Sequence, residues 1–365
     1  MGNRIHSVRK LLFNLHLYTA LMAGAVVVIL GVTGGIMAFE PEIDRLLHWK
    51  LWHVTPRGRA LSISETGTAV LRAFPGEHVY GYFVSTVPGL SYQVELRRGL
   101  AYVNQYTGQV LGVQKEGMDF LGYVHQIHLR LLIRNKADSG KTIVSWAGLA
   151  MLFLLVSGAY LWWPYKRFTI ARRESSRRFW FDVHATIGVS SLAFLLLLTV
   201  TGLIIGFEGA TTPLLYRVTG SRPSRPPRAE ITAPPGAQPI TPDQAFRVAR
   251  ASLPGAAPFY INVPEPHEPY FVRLRYPEDL TPGGRSQVMV DPYTGKAIWV
   301  QGSRTAPAGA RMVIANRAIH TGDIFGIPSK AVASLVSLMA VVQVLSGALT
   351  WWHGRRARAR ANQRT

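Results

Sequence analysis

The chain has 365 residues, a formal net charge of +20, and a hydrophobic content of 48%. It contains no cysteine, which excludes disulfide bonds, thiolate-held iron–sulfur clusters and haem attached through a C-x-x-C-H motif. A basic excess suits nucleic acid, an anionic membrane surface or an acidic substrate, but long apolar runs favour membrane lipid and argue against nucleic acid.

Four apolar runs are each long enough to cross a bilayer as a helix, and none has an acidic or basic residue in its interior. They lie near residues 15–39, 143–163, 185–207 and 330–352. The first run is too long for the apolar part of a secretory signal, and no A-x-A-like cleavage site precedes Glu40-Pro41, which favours a retained anchor. The fold class predicted is therefore an α-helical membrane protein with four transmembrane helices.

The chain divides into eight predicted segments. In order they are a tail with the first transmembrane helix (1–40), an outer α+β domain (41–120), an outer histidine segment with the second helix (121–165), a basic loop (166–183), the third helix (184–208), a second outer α+β domain (209–310), an outer histidine segment with the fourth helix (311–353), and a basic tail (354–365).

The orientation follows from the short basic flanks. Lysine and arginine are concentrated in the N-terminal tail, in the loop 166–183 and in the C-terminal tail, and cytoplasmic flanks of membrane helices accumulate these residues. Both termini are therefore predicted in the cytoplasm. The two long connections are predicted outside, because long loops cross the membrane largely regardless of their charge.

The chain is a tandem repeat of one unit: a helix, an outer domain and a second helix. In the first and third helices, three features align without a gap: His16 with His184, Thr33-Gly34 with Thr201-Gly202, and Phe39-Glu40 with Phe207-Glu208. The second and fourth helices share Ser-Gly-Ala and Trp-Trp, and an Ile-His pair precedes each one, at Ile127-His128 and Ile319-His320.

The outer domains are repeated as well. Each opens with a capping box, formed by Ser62 with Glu65 and by Thr241 with Gln244, before an amphipathic helix that ends at Pro-Gly. Strand-like alternation then leads to a Tyr-Thr-Gly turn in each copy. A tandem repeat with this orientation implies a pseudo-twofold axis along the membrane normal, so equivalent residues lie at equal depth.

Two pairs of histidines follow from this symmetry. His16 and His184 are predicted at the cytoplasmic ends of the first and third helices, and His128 and His320 outside, before the second and fourth. Two non-covalent b-type haems with two axial imidazoles each require such pairs, because each iron takes a ligand on either side of its ring. The alternatives are interfacial polar residues or ligands of another metal.

Further histidines leave the ligand assignment open. His125 shares the predicted face of His128, so either could be the ligand. His353 stands where the first copy has Pro164, and is either a helix end-cap or a competitor of the inner pair. The histidines without a partner in the repeat are predicted to be surface residues: His6, His48, His53, His78 and His267.

Small residues lie on the histidine side of the first and third helices. They are Ala20, Ala23, Gly31 and Gly34 in the first copy and Gly188, Ser191, Thr199 and Gly202 in the second. Such a stripe lets a flat macrocycle approach closely, and it equally suits packing of another helix.

Five motifs resemble those of the PepSY-associated transmembrane family. They are FNLHLYTAL, YVHQIHLRLL, SGAYLWWP, DVHATIG and AIHTGDIFG. The resemblance covers nearly the whole chain and implies that the outer domains are PepSY-like and periplasmic. The layout is most similar to that of the inner-membrane ferric-siderophore reductases of the ferrioxamine type.

That resemblance implies a function and a ligand set. It implies a di-haem oxidoreductase of the bacterial inner membrane that delivers electrons to a periplasmic ferric siderophore and releases iron as Fe(II). The implied haem ligands are His16, His128, His184 and His320. No catalytic side chain is predicted beyond them, because one-electron reduction needs approach of the chelate more than acid–base groups.

The sequence also bears on the electron donor and on alternative functions. No G-x-G-x-x-G motif follows a predicted strand, so the electron donor is expected to be a separate cytoplasmic reductase, a reduced flavin or a quinol. A different class is a non-redox PepSY membrane module that binds peptides or regulates a peptidase. A siderophore transporter is disfavoured, because coupled carriers place ionisable residues near the midplane.

Overall fold

The protein, in a computed structural model, is described here for residues 2–115, 117, 119–164, 170, 175–227 and 231–363. Part of the predicted basic loop lies outside the described residues, including Lys166, Arg167, Arg172 and Arg173, and so does Arg364. Two compact units are present. The helical unit comprises Met1–Phe39, Phe120–Thr211 and Asn316–Thr365, and the sheet unit comprises Glu40–Asp119 and Thr212–Ala315.

The strands of the described residues come in two runs of four, with runs of α-helices before, between and after them. The helices are α1 (Gly2–Met37), α2 (Glu40–Leu47), α3 (Trp49–Trp52), α4 (Ile63–Ala73), α5 (Phe120–Arg130), α6 (Ser139–Trp162), α7 (Ser176–Gly206), α8 (Glu208–Val218), α9 (Pro242–Ser252), α10 (Ala308–Thr321) and α11 (Ile327–Asn362). The strands are β1 (Val79–Phe83), β2 (Tyr92–Leu96), β3 (Gly99–Val103), β4 (Val110–Gln114), β5 (Ala257–Asn262), β6 (Tyr270–Arg275), β7 (Ser286–Val290) and β8 (Ala297–Gln301).

Four of these helices, α1, α6, α7 and α11, are long and apolar enough to cross a membrane, which confirms the predicted fold class. Helices α1 and α11 extend well beyond the predicted apolar runs, because the arginine-rich and lysine-rich ends of both are good helix formers. Each of α1 and α7 packs against both α6 and α11, so the four helices form a closed ring.

Two lysines near the starts of membrane helices are paired with carboxylates. Lys330, the first residue of the fourth apolar run, is 5% exposed, and its Nζ lies 3.4 Å from Asp323 Oδ1. In the first repeat, Lys141 donates to Glu208 Oε1 at 2.6 Å. A buried ammonium group is tolerated only with such a partner. The sequence pattern missed this pairing because the carboxylates lie outside the apolar runs.

The small-residue stripe serves helix packing at one of its positions. A Cβ on Gly31 would lie 2.7 Å from the Ser337 carbonyl oxygen, so glycine is needed for α1 to approach α11 this closely. The apolar centre of the ring contains Val27, Met151, Leu195 and Val336, one from each of the four helices.

The sheet unit is built on one antiparallel sheet with strand order β4-β3-β2-β1-β5-β6-β7-β8. Each repeat supplies one helix and four consecutive strands, and the halves join where β1 pairs with β5, with Tyr82 opposite Ile261. The strands of the two predicted outer domains therefore share one sheet. Pairing removes an exposed edge strand from each half, which is the physical reason for the union.

Helices α4 and α9 begin with the two capping boxes expected from the sequence. Both boxes are complete, at Ser62 with Glu65 and at Thr241 with Gln244. The core of the sheet unit draws on both halves and includes Val70, Val94, Ala245, Val272 and Val288, all fully buried. The two halves of the sheet unit therefore share one hydrophobic core.

Asp243 links the two helices. Its carboxylate, in the first turn of α9, accepts hydrogen bonds from the backbone N–H groups of Ile63 (2.9 Å) and Ser64 (3.0 Å), at the start of α4. These N–H groups have no partner within their own helix. The substitution Asp243→Ala is therefore expected to lower the free energy of unfolding by about 1–2 kcal/mol.

Thermal unfolding of the detergent-purified full chain measures this change. Glu268→Ala, which removes an exposed carboxylate from a turn, is the matched control and is expected to unfold like the wild type. Equal midpoints for Asp243→Ala and the wild type would contradict the capping role.

Candidate functional site

Four histidines of the helical unit form two pairs. The ring centroids of His16 on α1 and His184 on α7 are 6.4 Å apart, with an interplanar angle of 86°. Those of His128 on α5 and His320 on α10 are 6.5 Å apart, with an angle of 48°. The structure thus brings together the same pairs that the repeat predicts. We call His16 with His184 the inner pair and His128 with His320 the outer pair, after the orientation predicted from the basic flanks.

The spacing within each pair fits two imidazoles on opposite sides of one metal ion. A metal bound to imidazole lies about 2 Å from the ring nitrogen and about 3 Å from the ring centroid, which places the two centroids about 6 Å apart. An edge-to-face aromatic pair has a similar spacing. The spacing alone therefore fits both a metal site and an aromatic pair, and the hydrogen bonds of the ring nitrogens are needed to tell them apart.

Each of the four histidines has its Nδ1 bonded to protein oxygen. His16 Nδ1 donates to Ser157 Oγ at 2.8 Å, and His128 Nδ1 donates to Thr33 Oγ1 at 3.0 Å. In the second repeat, the Nδ1 atoms donate to the Gln343 carbonyl at 3.0 Å (His184) and to the Leu198 carbonyl at 3.1 Å (His320), with Ser346 Oγ at 3.3 Å and Thr201 Oγ1 at 3.2 Å.

These bonds fix where the ring protons lie. The hydroxyl of Ser157 donates to Phe153 O at 2.7 Å, and that of Thr33 donates to Ile29 O at 2.7 Å, so each hydroxyl oxygen accepts from the imidazole. The proton is then on Nδ1, and Nε2 keeps its lone pair. None of the four Nε2 atoms has a hydrogen bond within the described part of the chain, which leaves Nε2 as the metal-binding atom.

A glycine packs against each ring. A Cβ on the glycine would lie 3.3 Å from His16 Cε1 at Gly158, 3.3 Å from His184 Cε1 at Gly347, 3.1 Å from His128 Cε1 at Gly34, and 2.8 Å from His320 Cε1 at Gly202. Each glycine directly follows the Ser or Thr whose hydroxyl contacts the same ring. We call each such dipeptide a histidine seat: Thr33-Gly34, Ser157-Gly158, Thr201-Gly202 and Ser346-Gly347.

The histidine seats explain the motif duplication. Thr-Gly recurs in α1 and α7 and Ser-Gly in α6 and α11, and each dipeptide holds a histidine of a different helix. The sequence showed the repeated dipeptides but not what they contact. Of the two roles left open for the small-residue stripe, helix packing is present at Gly31, and the structure adds a third, since Gly34 and Gly202 pack against imidazoles.

A cavity lies beside the inner pair. Its lining includes both His16 and His184, small residues such as Gly158 and Gly188, and large apolar residues such as Trp162. The cavity has a volume of about 100 Å³. A macrocycle therefore requires the large side chains to move apart, while the ligand atoms suit it.

Burial favours the uncharged form of His128 and His320. Burial, followed by the neighbouring His320, lowers the pKa of His128 to about 4, and burial lowers the pKa of His320. Neutral imidazole is the form that binds metals.

The two further candidate histidines are not part of these ring pairs. His125 lies on α5 one turn before His128, close enough to lower the pKa of His128, but the ring facing His320 is that of His128. His353 lies near the end of α11 and takes part in no ring contact or hydrogen bond recorded for the described residues. His16 and His184 face each other without it.

The sheet unit holds a cluster that sequence reasoning missed. Ligand atoms of Asp44, His48 and Asp119 lie within 4.8 Å of one another. His48, predicted as a surface residue, is half-buried and donates to Asp44 Oδ1 at 2.7 Å, and Trp52 Nε1 donates to Asp44 Oδ2 at 2.7 Å. Gln114 Nε2 donates to Asp119 Oδ2 at 2.6 Å. These hydrogen bonds stabilise the cluster without an ion.

Comparison with known proteins identifies the family. The model of the PepSY-associated TM region matches residues 13–354, a span that includes both histidine pairs, the second and third membrane helices, and most of the first and fourth. No curated protein sequence matches the chain. Because the family match covers nearly the full length, the protein belongs to the PepSY-associated transmembrane family.

Proposed function

We propose that this membrane protein is a di-haem b oxidoreductase of the bacterial inner membrane that passes electrons to a periplasmic ferric siderophore, releasing iron as Fe(II). The observation that supports it best is the pairing of four histidines at 6.4 and 6.5 Å, each with Nδ1 bonded to protein oxygen. An edge-to-face aromatic pair needs no such repeated anchoring.

The ligand sets follow from the pairs. His16 and His184 would hold one haem, and His128 and His320 the other, each through Nε2. Iron between two neutral imidazoles supplies reversible one-electron chemistry between Fe(III) and Fe(II). The four histidine seats hold the rings in place, and the small apolar residues that line the inner cavity exclude water from it.

The separation of the two pairs along the helices supports electron transfer across the membrane. His16 belongs to the inner pair, and Gly34, which packs against His128 of the outer pair, lies on the same helix. At 1.5 Å per residue the two positions are about 27 Å apart along α1, close to the thickness of the hydrocarbon core, which is about 30 Å. One pair therefore lies near each end of the bundle.

The proposal also includes the direction of electron flow and the electron donor. The basic flanks favour cytoplasmic termini and periplasmic long connections, so electrons would enter at the His16 side from a cytoplasmic reductase, a flavin or a quinol. One electron converts Fe(III) in its oxygen chelate to Fe(II), which hard oxygen ligands bind less tightly, and the metal is released. A non-redox module that binds peptides or regulates a peptidase would not need paired histidines at both ends of the helices.

An absorption spectrum tests the redox proposal. The detergent-purified full chain, expressed with ample haem supply, is expected to show sharp α and Soret bands of low-spin b-type haem after dithionite reduction. Haem quantification is expected to give about two per chain, the number that four axial histidines allow. A colourless protein would contradict the proposal and leave the non-redox module.

Reoxidation tests the acceptor. Anaerobic protein, reduced and freed of reductant, is expected to lose its α band on addition of a ferric hydroxamate siderophore, while Fe(II) appears in an Fe(II)-specific chelator in proportion to the haem oxidised. The gallium(III) complex of the same siderophore has a similar shape but accepts no electron, so it is the matched control. Reoxidation by both complexes, or by neither, would contradict siderophore reduction.

A further inference from the structure

The four histidine seats differ in what they offer to Nδ1. His184 and His320 each have a backbone carbonyl as the nearer acceptor, with the seat hydroxyl as a second. His128 has the Thr33 hydroxyl at 3.0 Å. His16 has only the Ser157 hydroxyl among the described residues, at 2.8 Å.

Comparison of the histidine seats shows that His16 lacks a backbone carbonyl acceptor within the part of the chain that the structure describes. In the two seats of the second repeat the backbone acceptor is the carbonyl three residues before the hydroxyl: Leu198 before Thr201, and Gln343 before Ser346. The equivalent carbonyl before Ser157 is that of Leu154. It accepts the Ser157 hydroxyl at 3.3 Å, as the corresponding carbonyls of the other seats accept theirs, but no hydrogen bond joins it to His16 among the described residues. The two inner seats therefore have the same dipeptide but unequal support.

We infer that Ser157 is the positioning residue on which the inner site depends, because it alone orients His16, whereas His184, the other histidine of that pair, keeps a backbone acceptor without its seat hydroxyl. This inference rests on the proposed function, since its readout is bound haem. Without the Ser157 hydroxyl, the Nδ1–H of His16 is a buried donor without an acceptor, which favours rotation of the ring and withdrawal of Nε2.

A comparison of matched serine variants tests this inference. Each variant is made in the full chain carrying His128→Ala and His320→Ala, so that the inner haem alone is observed. The variants are Ser157→Ala, Ser157→Thr, Ser346→Ala and Ser190→Ala. Ser190 lies on the exposed side of α7, outside the histidine seats, and its substitution controls for loss of a membrane-helix hydroxyl.

The expected readout is spectroscopic. By electron paramagnetic resonance of the oxidised protein and by haem content, Ser157→Ala is expected to lose most of the low-spin signal of the inner haem, by about fivefold or more, as for the loss of a buried hydrogen bond. Ser346→Ala is expected to lose less than about twofold, because His184 keeps its carbonyl acceptor. Ser157→Thr keeps a hydroxyl and is expected to restore the signal.

The outcomes separate this inference from the proposed function. A wild-type chain without haem overturns the proposed function and this inference together. A wild-type chain with two haems, but equal losses in Ser157→Ala and Ser346→Ala, overturns only the role of Ser157. If Ser157→Ala does not fold, Ser157→Gly replaces it, and a folded Ser157→Thr without the low-spin signal contradicts the inference directly.

Discussion

Replacement of His128 or His320 by alanine is expected to remove one haem per chain and to leave the other in place. Either substitution leaves an iron with a single axial imidazole at the outer site, while the inner pair lies about 27 Å away along α1 and is unaffected. Haem content is expected to fall from about two to about one per chain, and siderophore reduction to be lost, because under the proposed function the outer site would deliver the electron.

The measurement is haem quantification with a reduced-minus-oxidised spectrum of each purified variant. His125→Ala is the discriminating variant, because His125 is on the same helix and near the same site but does not face His320. It is expected to keep both haems, and so is His78→Ala, which removes an exposed histidine of the sheet unit. Unchanged haem content in both His128→Ala and His320→Ala would contradict haem binding at the outer site.

The inner pair is expected to behave in the same way. His16→Ala and His184→Ala each remove one axial ligand of the inner iron, so haem content is expected to fall to about one per chain with the outer haem retained. Reduction by a cytoplasmic-side donor is then expected to stop, whereas dithionite still reduces the outer haem. The two inner variants and the two outer variants thus lose different haems.

His353→Ala decides between the ligand assignments that the sequence left open. Because His16 and His184 face each other at 6.4 Å and His353 takes no part in that contact, the variant is expected to keep both haems. Midpoint titration of each variant identifies which haem remains, since two haems in different surroundings have different potentials. Loss of the inner haem in His353→Ala, with retention in His16→Ala or His184→Ala, would show that His353 is the ligand.

Much of the fold could be read from the sequence. Apolar runs of membrane-spanning length predicted α1, α6, α7 and α11, and the capping boxes at Ser62 and Thr241 predicted the starts of α4 and α9, because these signals are local. The repeat also predicted which histidines form pairs. Symmetry supplied that information, since equivalent residues of a tandem repeat must lie at equal depth.

The tertiary structure alone decided how the halves meet and what holds each histidine. Nothing local in β1 or β5 shows that these strands pair with each other, and nothing in Ser157-Gly158 shows that it contacts His16. These contacts join residues far apart in the chain, and the packing of whole helices and strands sets them. The sequence by itself therefore determined the elements and the pairs, whereas packing decided that His184 and His320 have a backbone acceptor while His16 and His128 are bonded to a hydroxyl.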